Sequence, residues 1–267
     1  MKSKYNDEKF LREKYEQYGN GRLIAEELGV QKSLVYRWLK SYGITKSKGW
    51  KKHNVNENYF DEIDTEEKAY YLGLIMADGC VYRGPSPRSY IFQINLSSKD
   101  KKELERMNEA FSSDYQIYDV AGSHNNMISE LCISNTRFCR GLMEHGITLR
   151  KTENCHFPDF MNEHLTNCFL KGFFDGDGNI YHNPNRRKHN LQFSMIGTFD
   201  FISGAQQYLS ENDIPSFIYK ASKTDKVVIL ATSSYKAIQQ LYKLLYNNDA
   251  PFYSRKKEIF DRYMLKS

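Results

Sequence analysis

Tyr71-Leu72-Gly73-Leu74-Ile75-Met76-Ala77-Asp78-Gly79 and Leu170-Lys171-Gly172-Phe173-Phe174-Asp175-Gly176-Asp177-Gly178 are two copies of one nine-residue pattern, their last aspartates 99 residues apart. A single Asp-Gly carries little information, but a repeated one is tested by what surrounds it. Each copy leads into a hairpin-like stretch and then an alternating strand, Phe92-Gln93-Ile94-Asn95 in the first and Phe193-Ser194-Met195-Ile196 in the second. Asp100 follows Asp78 by 22 residues and Asp200 follows Asp177 by 23, each at the opening of the next helix. Leu149-Arg150-Lys151-Thr152 corresponds to Ser254-Arg255-Lys256-Lys257, 73 and 79 residues on from the two aspartates when counted at Lys151 and Lys256. The spacing therefore predicts two copies of one unit of about 100 residues.

Local signals fill in the first copy. Asp64-Thr65-Glu66-Glu67 has the spacing of a capping box and predicts a helix from Thr65. Beyond the motif, alternation and helical periodicity predict strands over Tyr90–Leu96 and Ile128–Ile133 and helices over Lys101–Phe111 and Thr136–His145. The organisation is mixed α/β.

The doubled nonapeptide, with a strand-helix-strand-helix unit after each copy and a lysine near each end, resembles the single-chain LAGLIDADG homing endonucleases over roughly residues 60–264. That resemblance implies an α/β (α+β) fold of two pseudo-symmetric αββαββα halves, residues 59–157 and 158–267, with the motif helices side by side and the sheets forming a saddle over double-stranded DNA. The first motif departs from the family pattern at Tyr71 and at Met76, which stands where the family has its first Asp. Neither is the family's metal ligand. By similarity, Asp78 and Asp177 hold the metal together with backbone carbonyls at Ala77 and Gly176, and Lys151 and Lys256 lie on the rim of each site as catalytic cations, where an ammonium can stabilise developing charge on the phosphate or position the solvent network; phosphate binding or a solvated helix end would use the same residues. The family implies site-specific hydrolysis of both DNA strands with staggered ends, by a monomer.

The residues suit that chemistry independently. A carboxylate at the C-terminal end of a helix faces partial charge of its own sign, at a cost of about 0.3–1 kcal/mol. Breaking that rule twice at equivalent positions is explained by a cation held between Asp78 and Asp177. Gly73 with Ala77, and Gly172 with Gly176, are four apart on one helix face and allow two backbones to approach closely. An all-oxygen site of this kind suits Mg²⁺ (or Mn²⁺), which can activate a water and stabilise a leaving 3′-oxygen. A zinc reading of Cys155-His156…His164…Cys168 is discounted, because the spacing matches no common finger and Cys168 falls on the second motif helix.

Base reading is expected from the outward strand faces. With Tyr90, Phe92, Ile94 and Leu96 inward, Gln93, Asn95 and Ser97 point out, and Gln192 and Ser194 match them in the second half. Such side chains are equally ordinary on a solvent-facing sheet. Arg83 and Arg88 in the first hairpin and Arg186-Arg187-Lys188 in the second are candidates for phosphate contacts, which would make binding steeply salt-dependent.

Charge marks a separate module at the N-terminus. The chain of 267 residues has a formal net charge of +5, yet residues 1–53 hold 13 of the 38 Lys/Arg and 6 of the 33 Asp/Glu, leaving the remainder slightly acidic. Within residues 1–44, Leu23–Val30 reads as a helix closed by Gly29, and Ser33–Leu39 opens another, a helix-turn-helix pattern. Ala25, Leu28, Val30, Val35 and Leu39 would close its core. Gln31, Lys32, Ser33, Tyr36 and Arg37 would be exposed toward a major groove, although a packing hairpin would show the same pattern. Residues 45–58 read as a basic linker in which Lys51 and Lys52 track phosphates.

At 40% hydrophobic and 14% aromatic, the chain can build a core. It has no apolar run of transmembrane length and no apolar N-terminal signal, so we expect a cytoplasmic, DNA-associated protein without membrane contact. Five scattered cysteines without a CxxC pair fit reduced thiols. The termini, Met1-Lys2 and Leu265-Lys266-Ser267, lack intein splicing residues and suggest a free-standing or intron-encoded enzyme. Two rivals share the fold: a non-cleaving transcriptional regulator, disfavoured by retention of both aspartates, and a maturase acting on intron RNA, which stays open.

Overall fold

The computed structural model describes residues 7–18, 20–44, 53–122, 126–149, 155–182, 191–220 and 227–264. They form an α+β protein with two four-stranded antiparallel sheets. The chain separates into two compact units, Met1–Lys52 and His53–Ser267.

The N-terminal unit contains helices α1 (Glu8–Tyr18), α2 (Gly21–Leu28) and α3 (Lys32–Ser41). Asn20 caps α2 by accepting the Arg22 N–H at 2.9 Å. Gly29 ends α2 with φ +64°, a left-handed geometry that glycine adopts without strain, and its N–H and that of Val30 turn back onto Glu26 and Ala25 carbonyls. Leu11, Ile24, Ala25, Val35, Leu39 and Ile44 are buried, with Leu28 and Val30 packed at the edge. Helix α1, which the sequence reading did not anticipate, covers this core with Leu11.

The larger unit is built twice. The first half runs α4 (Glu66–Asp78), β1 (Gly79–Arg83), β2 (Tyr90–Ser97), a 3-10 turn (Ser98–Asp100), α5 (Lys101–Ala110), β3 (Ile117–Ala121), β4 (Met127–Ile133) and α6 (Thr136–Glu144). The second runs α7 (Glu163–Asp177), β5 (Gly178–His182), β6 (Leu191–Thr198), α8 (Phe199–Glu211), β7 (Phe217–Lys220), β8 (Val227–Thr232), α9 (Tyr235–Tyr246) and α10 (Ser254–Met264). Both sheets have the same topology, β1-β2-β4-β3 and β5-β6-β8-β7. Each begins at the glycine that closes a motif, Gly79 pairing with Ile94 and Gly178 with Met195.

Local chemistry explains the entry points. Thr65 caps α4 by accepting the Lys68 N–H, and Asn162 caps α7 by accepting that of Leu165. Thr198 and Ser234 do the same for α8 and α9. Asp100 sits at the start of α5 but makes no capping bond there; its carboxylate instead takes a two-pronged ion pair from Arg255, with Nε to Oδ1 at 3.0 Å and Nη2 to Oδ2 at 3.0 Å. That pair ties the two halves together.

Alternation sets the sheet faces. Phe92, Ile94 and Leu96 are buried against the helices, as are Leu191, Phe193 and Met195. In α4 every residue from Ala69 to Met76 is buried, the signature of a helix surrounded on all sides rather than laid on a surface. Its partner is α7. The starts of the two helices meet where Glu66 bonds His164, and their ends meet where Ala77 and Asp78 adjoin Gly176, so they run parallel. They form the spine of one continuous core spanning both halves.

Candidate metal centre between the motif helices

The approach of α4 to α7 is limited by backbone alone. A Cβ on Gly73 would stand 2.0 Å from the Phe169 carbonyl oxygen, and one on Gly172 would stand 1.9 Å from that of Tyr70. The second neighbours match as well, Phe173 N for Gly73 and Leu74 N for Gly172, both inside 3.0 Å. These reciprocal contacts are those of a local two-fold axis between the helices. One turn further on, a Cβ on Gly176 would lie 2.3 Å from the Ala77 Cβ and 2.9 Å from Asp78 Oδ2. Asp78 thus lies against the end of α7, beside the residue that precedes Asp177.

Asp78 is exposed and Asp177 half-exposed, so both carboxylates are reachable at the ends of buried helices. Two acids brought to adjacent helix C-termini, each with partial negative charge behind it, make a hard, oxygen-only donor set that fits a divalent cation of the Mg²⁺ type. Ala77 and Gly176 face each other at this point. Beside Asp177 is a recess of about 200 Å³ lined by Met76, Cys155, Phe173, Ile196 and Thr198.

Lys256 departs from the position expected for it. It is 4% exposed and sits beneath the end of α7 rather than on an open rim, because it satisfies that end's carbonyls. Its Nζ donates to the carbonyls of Phe174 at 2.6 Å, Asp175 at 2.8 Å and Gly178 at 2.6 Å. All three ammonium protons are used. A cation there offsets the helix terminus on which Asp177 sits. Burial lowers its pKa to about 8, against the opposing pull of Asp175 and the more distant Asp78. Lys151, its counterpart, lies outside the described residues, as do Lys51, Lys52, Arg186, Arg187 and Lys188.

Asp175 was missed by the sequence reading. Fully buried, its Oδ2 accepts the Tyr70 hydroxyl at 2.8 Å and the Tyr253 backbone N–H at 2.8 Å, while Oδ1 has no hydrogen-bond partner among the described residues. It joins α7 to α4 and to the start of α10. The first half has Met76 here, in contact with Cys155, so this polar clasp belongs to one half only. Burial pushes the Asp175 carboxyl up to about 6, with Lys256 acting in the opposite direction. Between about pH 4 and 6 the folded protein therefore keeps a proton that the unfolded chain has released, and this group's contribution to stability falls as pH rises through that window. In chemical denaturation, Asp175→Asn should flatten the pH dependence there by on the order of 1 kcal/mol per pH unit, and an unchanged slope would refute the assignment.

The outward sheet faces carry the predicted polar groups and several aromatic ones. Asn95, Ser97, Gln192, Arg83 and Arg88 are exposed, and Gln93 and Ser194 half-exposed. Ser97 also caps the 3-10 turn. Gln93 Nε2 donates to Glu130 Oε2 at 2.5 Å, which places a carboxylate on the same face across the strand pair. Tyr82, Tyr118, Tyr181, Phe217 and Tyr219 are exposed large rings on these strands. Strand alternation would have found Phe217 and Tyr219, two apart on β7, but β7 was not delineated from sequence. In the N-terminal unit Lys32, Ser33, Tyr36 and Arg37 are exposed along one helix, α3.

No family model matches the chain, and no curated protein matches it in sequence. Solved structures do. A mesophilic variant of the homing endonuclease I-DmoI aligns with 76% of this chain and 99% of its own, at a TM-score of 0.52 and 15% identity. The LAGLIDADG meganuclease I-AabMI, bound to uncleaved DNA, aligns with 76% of this chain and 90% of its own at 0.53 and 13%. I-GzeII, a LAGLIDADG homing endonuclease in complex with its DNA target, aligns with 74% and 88% at 0.51 and 13%. The chain has the LAGLIDADG homing-endonuclease fold in its single-chain form, with two pseudo-symmetric halves on one polypeptide.

Proposed function

We propose that the protein is a site-specific, divalent-metal-dependent endonuclease of double-stranded DNA. The observation that carries this reading is the placing of Asp78 against Gly176, the residue before Asp177, at adjacent ends of two parallel helices whose backbones touch at Gly73 and Gly172. A purely structural helix pair gains nothing from two carboxylates at that end. When bound, Mg²⁺ (or Mn²⁺) supplies Lewis acidity, activating water and offsetting charge on the leaving 3′-oxygen. The chain's part is to hold the two carboxylates in place, with Ala77 and Gly176 offering nearby carbonyls and Lys256 and Asp175 fixing the end of α7. One aspartate from each half suits one cut per strand. I-DmoI has been crystallised with DNA and Ca, which supports a divalent cation with this fold.

The sheet faces would lie along the duplex. Gln93, Asn95, Ser97, Gln192 and Ser194 offer amides and hydroxyls for base edges, while Arg83, Arg88, Arg186, Arg187 and Lys188 offer cations for phosphates. The N-terminal unit extends the footprint by placing α3 in a major groove, with Lys51 and Lys52 following the backbone. Double-stranded DNA is the proposed partner, and the enzyme acts as a monomer. Lys32→Ala with Arg37→Ala should then weaken DNA binding and make the log-log salt dependence shallower by about 1–2 units. Unchanged affinity and slope would reduce α2 and α3 to a packing element.

The deciding experiment incubates the full chain with Mg²⁺ and a library of DNA targets, alongside Asp78→Asn and Asp177→Asn. Cleavage by the parent and binding without cleavage by both variants is the expected pattern. A parent that binds a site but never cuts it would instead be a DNA-binding regulator.

A further inference from the structure

The starts of α4 and α7 carry a second donor cluster, at the opposite end of the helix pair from the aspartates. His164 and Cys168 are four apart in α7 and share one face, and Glu66 reaches them from the first turn of α4. One ligand atom from each, a carboxylate oxygen, an imidazole nitrogen and a thiol sulfur, all lie within 4.8 Å of one another. Glu66 is held from two sides: Oε1 pairs with His164 Nε2, and Oε2 accepts the Asp249 backbone N–H at 2.7 Å. The side chains grade from fully buried Cys168 to His164, whose side chain is 56% exposed, so the cluster has a closed floor and an open mouth.

We propose that Glu66, His164 and Cys168 form a zinc-binding site that pins the start of one half's motif helix to that of the other. The donor types decide the metal. A thiolate and an imidazole select Zn²⁺ over Mg²⁺, whereas the all-oxygen pair at Asp78 and Asp177 offers none of the soft donors that discriminate against Mg²⁺. Tetrahedral zinc holds sulfur and nitrogen about 3.5 Å apart, given bonds of about 2.3 and 2.0 Å. Rotation of the exposed His164 ring and the Glu66 carboxylate closes the remaining gap. The fourth position faces the open mouth, where water completes the shell. Binding converts the Cys168 thiol to a thiolate and releases its proton to solvent. Two anionic donors, Glu66 and that thiolate, match the charge of the ion and outweigh the partial positive charge of the helix starts.

This site differs from the cysteine and histidine pairing weighed from sequence. Cys155 lines the recess beside Asp177, at the other end of α7, so it cannot join Cys168 on one ion. Its place is taken by Glu66, 98 residues before His164. At a rise of about 1.5 Å per residue, the 13 residues from His164 to Asp177 separate the two centres by about 20 Å.

Co²⁺ titration of the full chain, stripped of metal by chelator and desalted, tests this without reference to cleavage. A thiolate ligand produces an intense near-ultraviolet charge-transfer band that oxygen ligands do not. We expect a band saturating at one equivalent, bleached by Zn²⁺ and retained in Asp78→Asn and Asp177→Asn. Cys168→Ser should abolish it, and His164→Ala, a change at an exposed position that leaves the core intact, should weaken Co²⁺ affinity by about tenfold or more. Absence of the band in the parent overturns the site. So does a band that survives Cys168→Ser, or an affinity unchanged by His164→Ala.

Discussion

Asp78→Asn and Asp177→Asn should each lower the proposed metal-dependent DNA cleavage by about a thousandfold or more, corresponding to about 4 kcal/mol of lost transition-state stabilisation, while DNA affinity should stay within about threefold. The expected loss is large because the proposed function makes the two carboxylates one centre: removing either charge would leave half a donor set against a dication. It is also symmetric, since the halves are related by the reciprocal glycine contacts at Gly73 and Gly172. Stability should move the other way. Each aspartate ends a helix, at Asp78 for α4 and Asp177 for α7, and neutralising it relieves an unfavourable dipole interaction of about 0.3–1 kcal/mol. Single-turnover cleavage with a matched denaturation curve reads both quantities. A variant that loses cleavage only because it has lost stability would contradict the catalytic assignment.

Gly172→Ala should be severely damaging, and Gly73→Ala nearly as much. On helix propensity alone, the change should stabilise by about 1 kcal/mol. Instead the new Cβ would lie 1.9 Å from the Tyr70 carbonyl oxygen, or 2.0 Å from that of Phe169. A carbonyl inside a helix cannot swing aside, so the two helices must part by more than 1 Å over a core with no slack. We expect a loss of about 3 kcal/mol or more in urea unfolding, and loss of cleavage even where the protein remains folded. Near-parental stability would show that the helices do not touch through backbone.

Much of this arrangement is legible in one dimension because it follows from periodicity. Two nonapeptides in register, strands that alternate and a helix with Thr65 at its start need only neighbours within a few residues. The motif aspartates are readable for the same reason: each breaks a local rule at a helix end. Helix α1 was missed although Leu11, Tyr15 and Tyr18 lie along one face, since so polar a stretch reads equally well as a tail. Lys256 looks like a surface cation by residue type, yet three carbonyls some 80 residues upstream make burial tolerable. Asp175 reads as a motif variant until Tyr70 and Tyr253 appear on its Oδ2, 105 and 78 residues away.

The repeat, the class of fold and the placing of Asp78 and Asp177 at matching helix ends are all written in the chain, because these depend on spacing along it. Packing alone brings Asp175 against Tyr70 and Tyr253, buries Lys256 on three helix-end carbonyls, and sets Glu66 beside His164 and Cys168. The physical reason is range. A hydrogen bond or metal ligand set acts over a few ångströms, and residues that distant in sequence come within reach only when α4 and α7 pack glycine against backbone.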